Sequence, residues 1–231
     1  MFYKVIDFIT KQEVSPKNFI FTGDAGPWEI VMDIAAIKAK LDLATFKKLP
    51  ISFKKYLPLL PLQSSPDFIA LNEIATPLIK SKKLGPELGL DLYFKIEGKN
   101  PTGSFKDRGS ILDVAMAQEL GAKALIVAST GNMAASCACY AAAAQLPCYV
   151  LVPEGAPMSK LAQVLAYGGH IVQIKGTYTD AMQLAKTIAL QMNFYLAGDY
   201  APRVEGQKTA AFEICDQFIL DPPDAVIVPM G

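Results

Sequence analysis

The chain has 231 residues, 52% of them hydrophobic, with 22 basic and 22 acidic side chains. This size and apolar content suffice for a buried core, in one large domain or two small ones. A net charge of zero argues against nucleic-acid and membrane-surface binding, which usually need a basic patch or stripe. We therefore expect neither a nucleic acid nor a membrane among the partners of this protein.

The first sixty residues show little periodicity. A helix is predicted at 29–40, and prolines after residue 49 indicate an irregular connection. Charged residues interrupt the first eleven positions, so no signal-peptide apolar segment is evident. Further along, 124–153 contains no charge, but Ser, Thr, Gly, Asn and Pro residues divide it. That pattern favours the buried centre of a soluble domain over a membrane-spanning helix.

Cysteine usage indicates a reducing compartment. The four cysteines form no CxxC pair, and one histidine is present, which is poor material for a zinc site. Small buried thiols in a reducing cytosol are the simplest interpretation. We predict a cytoplasmic protein without a metal.

From about residue 91, short apolar runs alternate with helical segments. The predicted strands are LYFKI, ALIVA, CYVLV, HIVQI and AVIVP, at 92–96, 124–128, 148–152, 170–174 and 225–229. The predicted helices lie at about 105–120, 132–145, 158–167, 179–192 and 205–219. This alternation implies parallel strands joined by right-handed crossovers, and therefore a doubly wound α/β sheet. Ligands of such sheets bind at the carboxyl ends of the strands, which selects the loops at 98–106 and 128–133 and whatever follows Met230.

The first of these loops lies within FKIEGKNPTGSFKDRG, residues 94–109. Lys106 is expected in the first turn of a helix, where unpaired N–H groups and the helix dipole favour the neutral form of an amine. A neutral lysine is a better nucleophile toward an aldehyde, as Schiff-base chemistry requires. The alternative for Lys106 is a solvated side chain at an ordinary helix start.

The second loop, ASTGNMAAS, supplies hydroxyl groups, backbone N–H groups and an amide at a helix start, from Ser129, Thr130 and Asn132. Such a place suits a carboxylate, a phosphate or a phenolate oxygen. The alternative is a simple helix cap. Because neighbouring strand ends converge in space, the two loops together favour one shared site.

These motifs resemble a known family. NPTGSFKDRG, followed by STGN and EGQKTAAFEI, is similar to the threonine synthases, within fold type II of the pyridoxal-phosphate enzymes, from about Leu71 to Gly231. The resemblance implies doubly wound, mainly parallel sheets of the tryptophan-synthase-β-like architecture with a small N-terminal lobe. It also implies pyridoxal 5'-phosphate as cofactor and conversion of O-phospho-L-homoserine and water to L-threonine and phosphate.

The resemblance gives cofactor roles to three positions. Lys106 is expected to bond to the aldehyde of pyridoxal phosphate and to move protons at the α and β carbons of the substrate. Phe105 is expected to seat the ring, and Asn132 to hydrogen-bond the phenolic oxygen.

Substrate roles follow from the same resemblance. Ser129 and Thr130 are expected to bind the substrate carboxylate, whereas Lys160 and Arg203 are expected to lie toward its phosphate. The chain departs from the family pattern at Ala197 and Gly198, which replace potential phosphate donors, and at Met133. It reaches Gly231 at the start of the glycine-rich loop that holds the cofactor phosphate in the family.

The domain division follows the family. We predict an N-terminal lobe with linker at 1–60, part of the large cofactor domain at 61–110 and 191–231, and a small α/β domain at 111–190. The lobe resembles a zinc ribbon without its cysteines, with Phe21 and Asp24 in ligand positions.

Three alternatives stay open. The chain can belong to a serine/threonine dehydratase-like enzyme, to a synthase that uses phosphoserine, or to a non-catalytic fragment. The expected partner is a small amino-acid phosphate, with a homodimer as a candidate assembly.

Overall fold

A computed structural model describes residues 2–14, 26–63 and 75–229, without the side chain of Lys160. Its strands are β1 Tyr3–Asp7, β2 Trp28–Met32, β3 Leu78–Lys80, β4 Tyr93–Lys95, β5 Leu125–Ala128, β6 Cys148–Pro153, β7 His170–Ile174 and β8 Tyr195–Ala197. Its α-helices are α1 Ile34–Lys40, α2 Leu43–Lys48, α3 Phe53–Tyr56, α4 Leu84–Leu88, α5 Lys106–Glu119, α6 Asn132–Ala143, α7 Met158–Ala166, α8 Tyr178–Met192, α9 Ala201–Gln207 and α10 Thr209–Gln217. Short 3₁₀ helices lie at Leu57–Leu59 and Glu97–Lys99.

The N-terminal region is more regular than its sequence predicts. β1 and β2 form an antiparallel pair, so the helix predicted at 29–40 is wrong in its first part. The helix begins only after Asp33, whose carboxylate accepts a hydrogen bond from the N–H of Ala36 and caps α1. Trp28 packs from β2 against the main core. The zinc-ribbon positions Phe21 and Asp24 lie outside the described residues.

The centre of the molecule is a four-stranded parallel sheet with the order β7-β6-β5-β8. The strands predicted at 124–128, 148–152 and 170–174 are confirmed as β5, β6 and β7. β8 was not predicted, because its run of three residues is short; it pairs with β5 and extends the sheet past the domain boundary predicted at residue 190.

Both faces of this sheet are buried along β5, β6 and β8, as in a doubly wound sheet, whereas the edge strand β7 is half-buried to exposed. Leu125 and Val127 of β5 belong to the larger core, which α5, α6 and α7 cover. Ile126 and Ala128 face the second core, where α8 contributes its small residues. The alternation along one strand thus separates two apolar layers.

Two predicted strands behave differently. LYFKI forms β4, but β4 pairs antiparallel with β3 in a separate two-stranded sheet. The strand predicted at 225–229 is wrong: this segment has no regular structure, no described strand lies beside it, and Ile227 is 95% exposed. The helix predicted at 205–219 is divided into α9 and α10, and the hydroxyl of Thr209 donates to the carbonyl of Gly206 at the break (2.7 Å).

Helix α5 is the most buried helix on this side of the sheet. Positions 107–117 are all buried, although they include Asp107, Arg108, Ser110 and Asp113. Each of these polar side chains has a partner, as burial demands. Within the described residues, no helix combines the length and apolar character needed to cross a membrane.

Candidate active site at the edge between strands β5 and β8

The strand order reverses between β5 and β8, and we call the edge at the carboxyl ends of these two strands the crevice. The chain leaves β5 toward β6 on one side, whereas it returns to the other side of β5 through β8. Such a reversal of strand order is where ligands of open α/β sheets bind. Val127 pairs with Ala197, so the loops at 129–131 and 198–200 start next to each other.

Lys106 is the first residue of α5, and its local fold explains the motif around it. The hydroxyl of Ser104 accepts from the N–H of Lys106 (3.2 Å). The carboxylate of Asp107 turns back and accepts from the N–H of Thr102 (2.7 Å) and from the Thr102 hydroxyl. These bonds hold the loop against the start of the helix, so the carboxylate of Asp107 stabilises the backbone of the loop.

The amine of Lys106 lies at the crevice. Its side chain is 26% exposed, and Nζ lies 3.5 Å from the carboxylate of Asp199, which follows β8. Nζ also lies 4.9 Å from the ring centre of Phe105, an exposed side chain. The structure therefore brings Lys106 to the edge between β5 and β8, although β4 is not part of the central sheet.

The loop after β5 presents polar groups to solvent. Ser129 and Thr130 are half-buried, and Asn132 begins α6 with an exposed side chain. The hydroxyl of Ser129 accepts from the N–H of Gly131 (3.3 Å), which shapes the turn. Within the described part of the chain, no hydrogen bond uses the side-chain amide of Asn132.

A buried cluster holds the outer side of α5; we call Lys95, Glu97, Arg108 and Glu213 the Arg108 cluster. Arg108 donates to both oxygens of Glu97 (2.7 and 2.8 Å) and to both oxygens of Glu213 (2.7 and 2.9 Å). Lys95 donates to Glu213 as well (2.7 Å). Two cations thus meet two carboxylates, and the cluster is neutral.

The environment of the Arg108 cluster favours the charged form of Glu97 but not that of Lys95. Burial alone would raise the pKa of Glu97, but the hydrogen bonds and charge of Arg108 outweigh it and lower the pKa to about 2. For Lys95, burial lowers the pKa below its usual range while Glu213 opposes the shift. A bidentate arginine between two carboxylates is a strong, geometrically specific contact.

A second buried cluster lies under α5 and is centred on Arg203; we call Ser110, Asp113, Cys137, Tyr195 and Arg203 the Arg203 cluster. Nη2 of Arg203 donates to Asp113 (2.6 Å), Ser110 (3.2 Å) and the sulfur of Cys137 (3.3 Å). Tyr195 donates to the other oxygen of Asp113 (3.2 Å).

The rest of the Arg203 guanidinium binds backbone. Nε donates to the carbonyl of Gly198 (3.1 Å) and Nη1 to the carbonyl of Lys106 (3.3 Å). Burial raises the pKa of Asp113 to about 6, against the opposing charge of Arg203. Arg203 is 0% exposed, so in this structure its guanidinium faces the interior and not the crevice.

The other residue predicted on the phosphate side is Lys160. It lies on α7, which follows the strand β6, and its side chain is outside the described part of the structure. The structure therefore places Lys106 beside Phe105 and Asp199 and buries Arg203 in the interior. Ser129, Thr130 and Asn132 lie in the loop and helix start that follow the neighbouring strand β5.

Sequence reasoning missed Asp199, Asp113 and the Arg108 cluster. The signal for the buried groups was present: four polar residues interrupt the otherwise apolar helix α5 over only seven positions. Charges in such a helix are nearly always paired. Asp199 carried no comparable signal, because one acid in a loop is common.

The donor set fits pyridoxal phosphate. An accessible amine at a helix start can bond to an aldehyde, an exposed amide can hydrogen-bond a phenolic oxygen, and the hydroxyls and N–H groups after β5 can hold an anion. No three His, Cys, Asp or Glu side chains among the described residues cluster as metal ligands do.

Comparison with known proteins agrees with this chemistry. Residues 69–231 match the family model described as "Pyridoxal-phosphate dependent enzyme". A threonine synthase of Methanocaldococcus jannaschii is 44% identical over 93% of this chain and 54% of its own length. A threonine synthase of Bacillus sp. is 46% identical over 77% of this chain and 51% of its own length. The chain thus spans about half the length of the curated relatives it matches.

Solved structures give the same fold. Processed threonine deaminase isoform 2 from Solanum lycopersicum superimposes with a TM-score of 0.58 at 29% identity, covering 62% of this chain and 43% of its own. Maize serine racemase gives a TM-score of 0.57 at 28% identity, covering 62% and 44%. The predicted fold class, the doubly wound architecture of fold type II, is confirmed.

Proposed function

Because the chain belongs to the pyridoxal-phosphate-dependent enzyme family, as its motifs predicted, we propose that it is part of a threonine-synthase-like lyase. The reaction proposed is conversion of O-phospho-L-homoserine and water to L-threonine and phosphate. The observation that supports the proposal is the half-buried amine of Lys106 beside Asp199, in the loop after β8, the strand that pairs with β5.

The residues divide the work as follows. Pyridoxal phosphate, when bound, supplies the electron sink that the chemistry at the α and β carbons needs. Nζ of Lys106 would hold the cofactor aldehyde and would take up and return protons at those carbons. Phe105 would help to seat the ring, and Asn132 would hydrogen-bond its phenolic oxygen.

The substrate is held by the loop after β5. Ser129 and Thr130 donate to its carboxylate, where backbone N–H groups at the start of α6 favour an anion. Binding of the substrate phosphate by Lys160 stays a prediction, since its side chain is not described.

A second candidate function is elimination from an unphosphorylated hydroxy amino acid, as in the dehydratases. One observation favours it: Arg203 faces the interior, and Ala197 and Gly198 supply no side-chain donor for a phosphate. Parallel assays distinguish the two candidates. Phosphate release from O-phosphohomoserine supports the first, whereas keto-acid formation from L-threonine with no phosphate release supports the second.

The test of the shared premise is covalent labelling of the chain with pyridoxal phosphate, followed by borohydride reduction and peptide mapping. We expect the adduct on Lys106 to exceed that on the exposed Lys123. Lys106→Ala should remove the main adduct, and Lys123→Ala is the matched control that leaves it. Equal labelling of all exposed lysines would contradict the proposal.

A further inference from the structure

The contacts of Arg203 link the two segments that meet at the amine of Lys106. One hydrogen bond goes to the carbonyl of Lys106 itself and another to the carbonyl of Gly198, next to Asp199. Asp199 is the residue whose carboxylate lies 3.5 Å from Nζ of Lys106. A single guanidinium therefore joins the first turn of α5 to the loop after β8.

The same guanidinium is also anchored deeper in the interior. Ser110 and Asp113 accept from it one and two turns along α5 from Lys106, and Cys137 accepts from α6. All three are fully buried or nearly so. A guanidinium with this many fixed partners is held in one orientation, and water does not compete for its hydrogen bonds because the site is buried.

Close packing leaves Arg203 little freedom to turn outward. A Cβ on Gly109 would lie 2.5 Å from Cγ of Arg203, so the side chain passes directly over the glycine of α5. Turning the guanidinium toward the crevice would leave the carboxylate of Asp113 buried without its cation, which is strongly unfavourable.

We propose that Arg203 is a positioning residue for Lys106: its buried guanidinium fixes the first turn of α5 against the loop after β8. This inference rests on the proposed role of Lys106. It assigns Arg203 a task in the cofactor-binding step, before any substrate is present.

The test compares Arg203→Lys with the unaltered 231-residue chain. A lysine ammonium keeps a cation beside Asp113, so the variant is expected to fold, but it cannot also reach the carbonyls of Gly198 and Lys106. Borohydride labelling with pyridoxal phosphate gives the ratio of adduct on Lys106 to adduct on Lys123. We expect that ratio to fall about tenfold to a hundredfold, because misplacement of a reacting group by about 1 Å has effects of that size.

The matched control is Tyr195→Phe. It removes a hydrogen bond to Asp113 in the same cluster but keeps the guanidinium that bonds to the carbonyls of Lys106 and Gly198, so it should lower thermal stability and leave the labelling ratio unchanged. If both variants lower the ratio in proportion to their loss of stability, Arg203 is merely structural and the proposal is overturned.

Calorimetric titration with inorganic phosphate separately measures whether Arg203 also binds that anion. Arg203→Lys with an unchanged labelling ratio, with or without weaker phosphate binding, would overturn the positioning role. A lower ratio supports the positioning role at any strength of phosphate binding, provided that Tyr195→Phe leaves the ratio unchanged. If the unaltered chain itself shows no preference for Lys106, the proposed function fails, and the role of Arg203 fails with it.

Discussion

The two buried arginines that flank Lys106 sit in clusters of different design. The Arg108 cluster has two cations and two carboxylates, and one of the carboxylates, Glu213, is shared between Arg108 and Lys95. The Arg203 cluster has one cation and one carboxylate, and its other members are neutral. Removal of Arg108 still leaves Lys95 to pair with Glu213, whereas removal of Arg203 leaves Asp113 without its cation. The loss of stability on substitution of each arginine should therefore depend on whether a second cation remains in the cluster, and not on the number of hydrogen bonds removed.

The largest expected effect follows from that difference. Arg203→Met should lower the free energy of unfolding by about 3–5 kcal/mol, because it leaves the carboxylate of Asp113 buried and uncompensated. Arg108→Met should cost less, because Lys95 still pairs with Glu213. Urea unfolding measures both. The double variant Arg203→Met with Asp113→Leu should recover much of the loss; no recovery would contradict the account of an unpaired charge.

A smaller effect concerns the helix crossing that brings the two clusters together. A Cβ on Gly206 of α9 would lie 2.3 Å from the carbonyl oxygen of Arg108, and backbone cannot move aside as a side chain can. Gly206→Ala should therefore lower the free energy of unfolding by about 1–3 kcal/mol. Gly98→Ala is the matched control, since its Cβ would meet no atom closer than 4.0 Å. Equal urea midpoints for the two variants would show that the helices separate easily.

The pH dependence of stability should also differ between the clusters. Glu97 has a pKa of about 2 in the folded chain against an ordinary value of 4.5, so its contribution is complete above pH 4.5 and is lost as the pH falls toward 2. Because Glu97 is partly solvated, we expect about 1–2 kcal/mol for it. The stability difference between the unaltered chain and Glu97→Gln, measured in urea, should be larger at pH 6 than at pH 3.

Asp113 should give the opposite slope. Its pKa rises from 3.8 to about 6 on folding, so the folded state binds the proton more tightly than the unfolded chain. The unaltered chain should lose stability relative to Asp113→Asn as the pH rises from 3.8 to 6. A slope of the same sign as that of Glu97 would mean that Arg203 outweighs burial at Asp113.

Much of the central sheet could be predicted from sequence, because β5, β6 and β7 are continuous apolar runs with helices between them. β8 was too short to be recognised, and the segment at 225–229 has strand composition but no described neighbour to pair with. The position of Lys106 followed from a helix start after a turn-rich loop. The inward orientation of Arg203 did not, because it depends on Asp113 and Gly109, which approach it only after α5 and α9 pack together.

The smallest expected effect tests whether the buried or the exposed contact holds Lys106 in place. Asp199 is 73% exposed and lies 3.5 Å from the amine, and exposed pairs of this kind contribute about 0–1 kcal/mol. Asp199→Asn should therefore leave the free energy of unfolding nearly unchanged, and added salt should have no further effect. The preference of pyridoxal phosphate for Lys106 over Lys123 should also stay unchanged, because the hydrogen bond from Arg203 to Gly198 keeps the loop in position. If Asp199→Asn lowers the ratio of adduct on Lys106 to adduct on Lys123 as strongly as Arg203→Lys does, the surface ion pair holds the amine in place. The buried guanidinium of Arg203 would then contribute to stability alone.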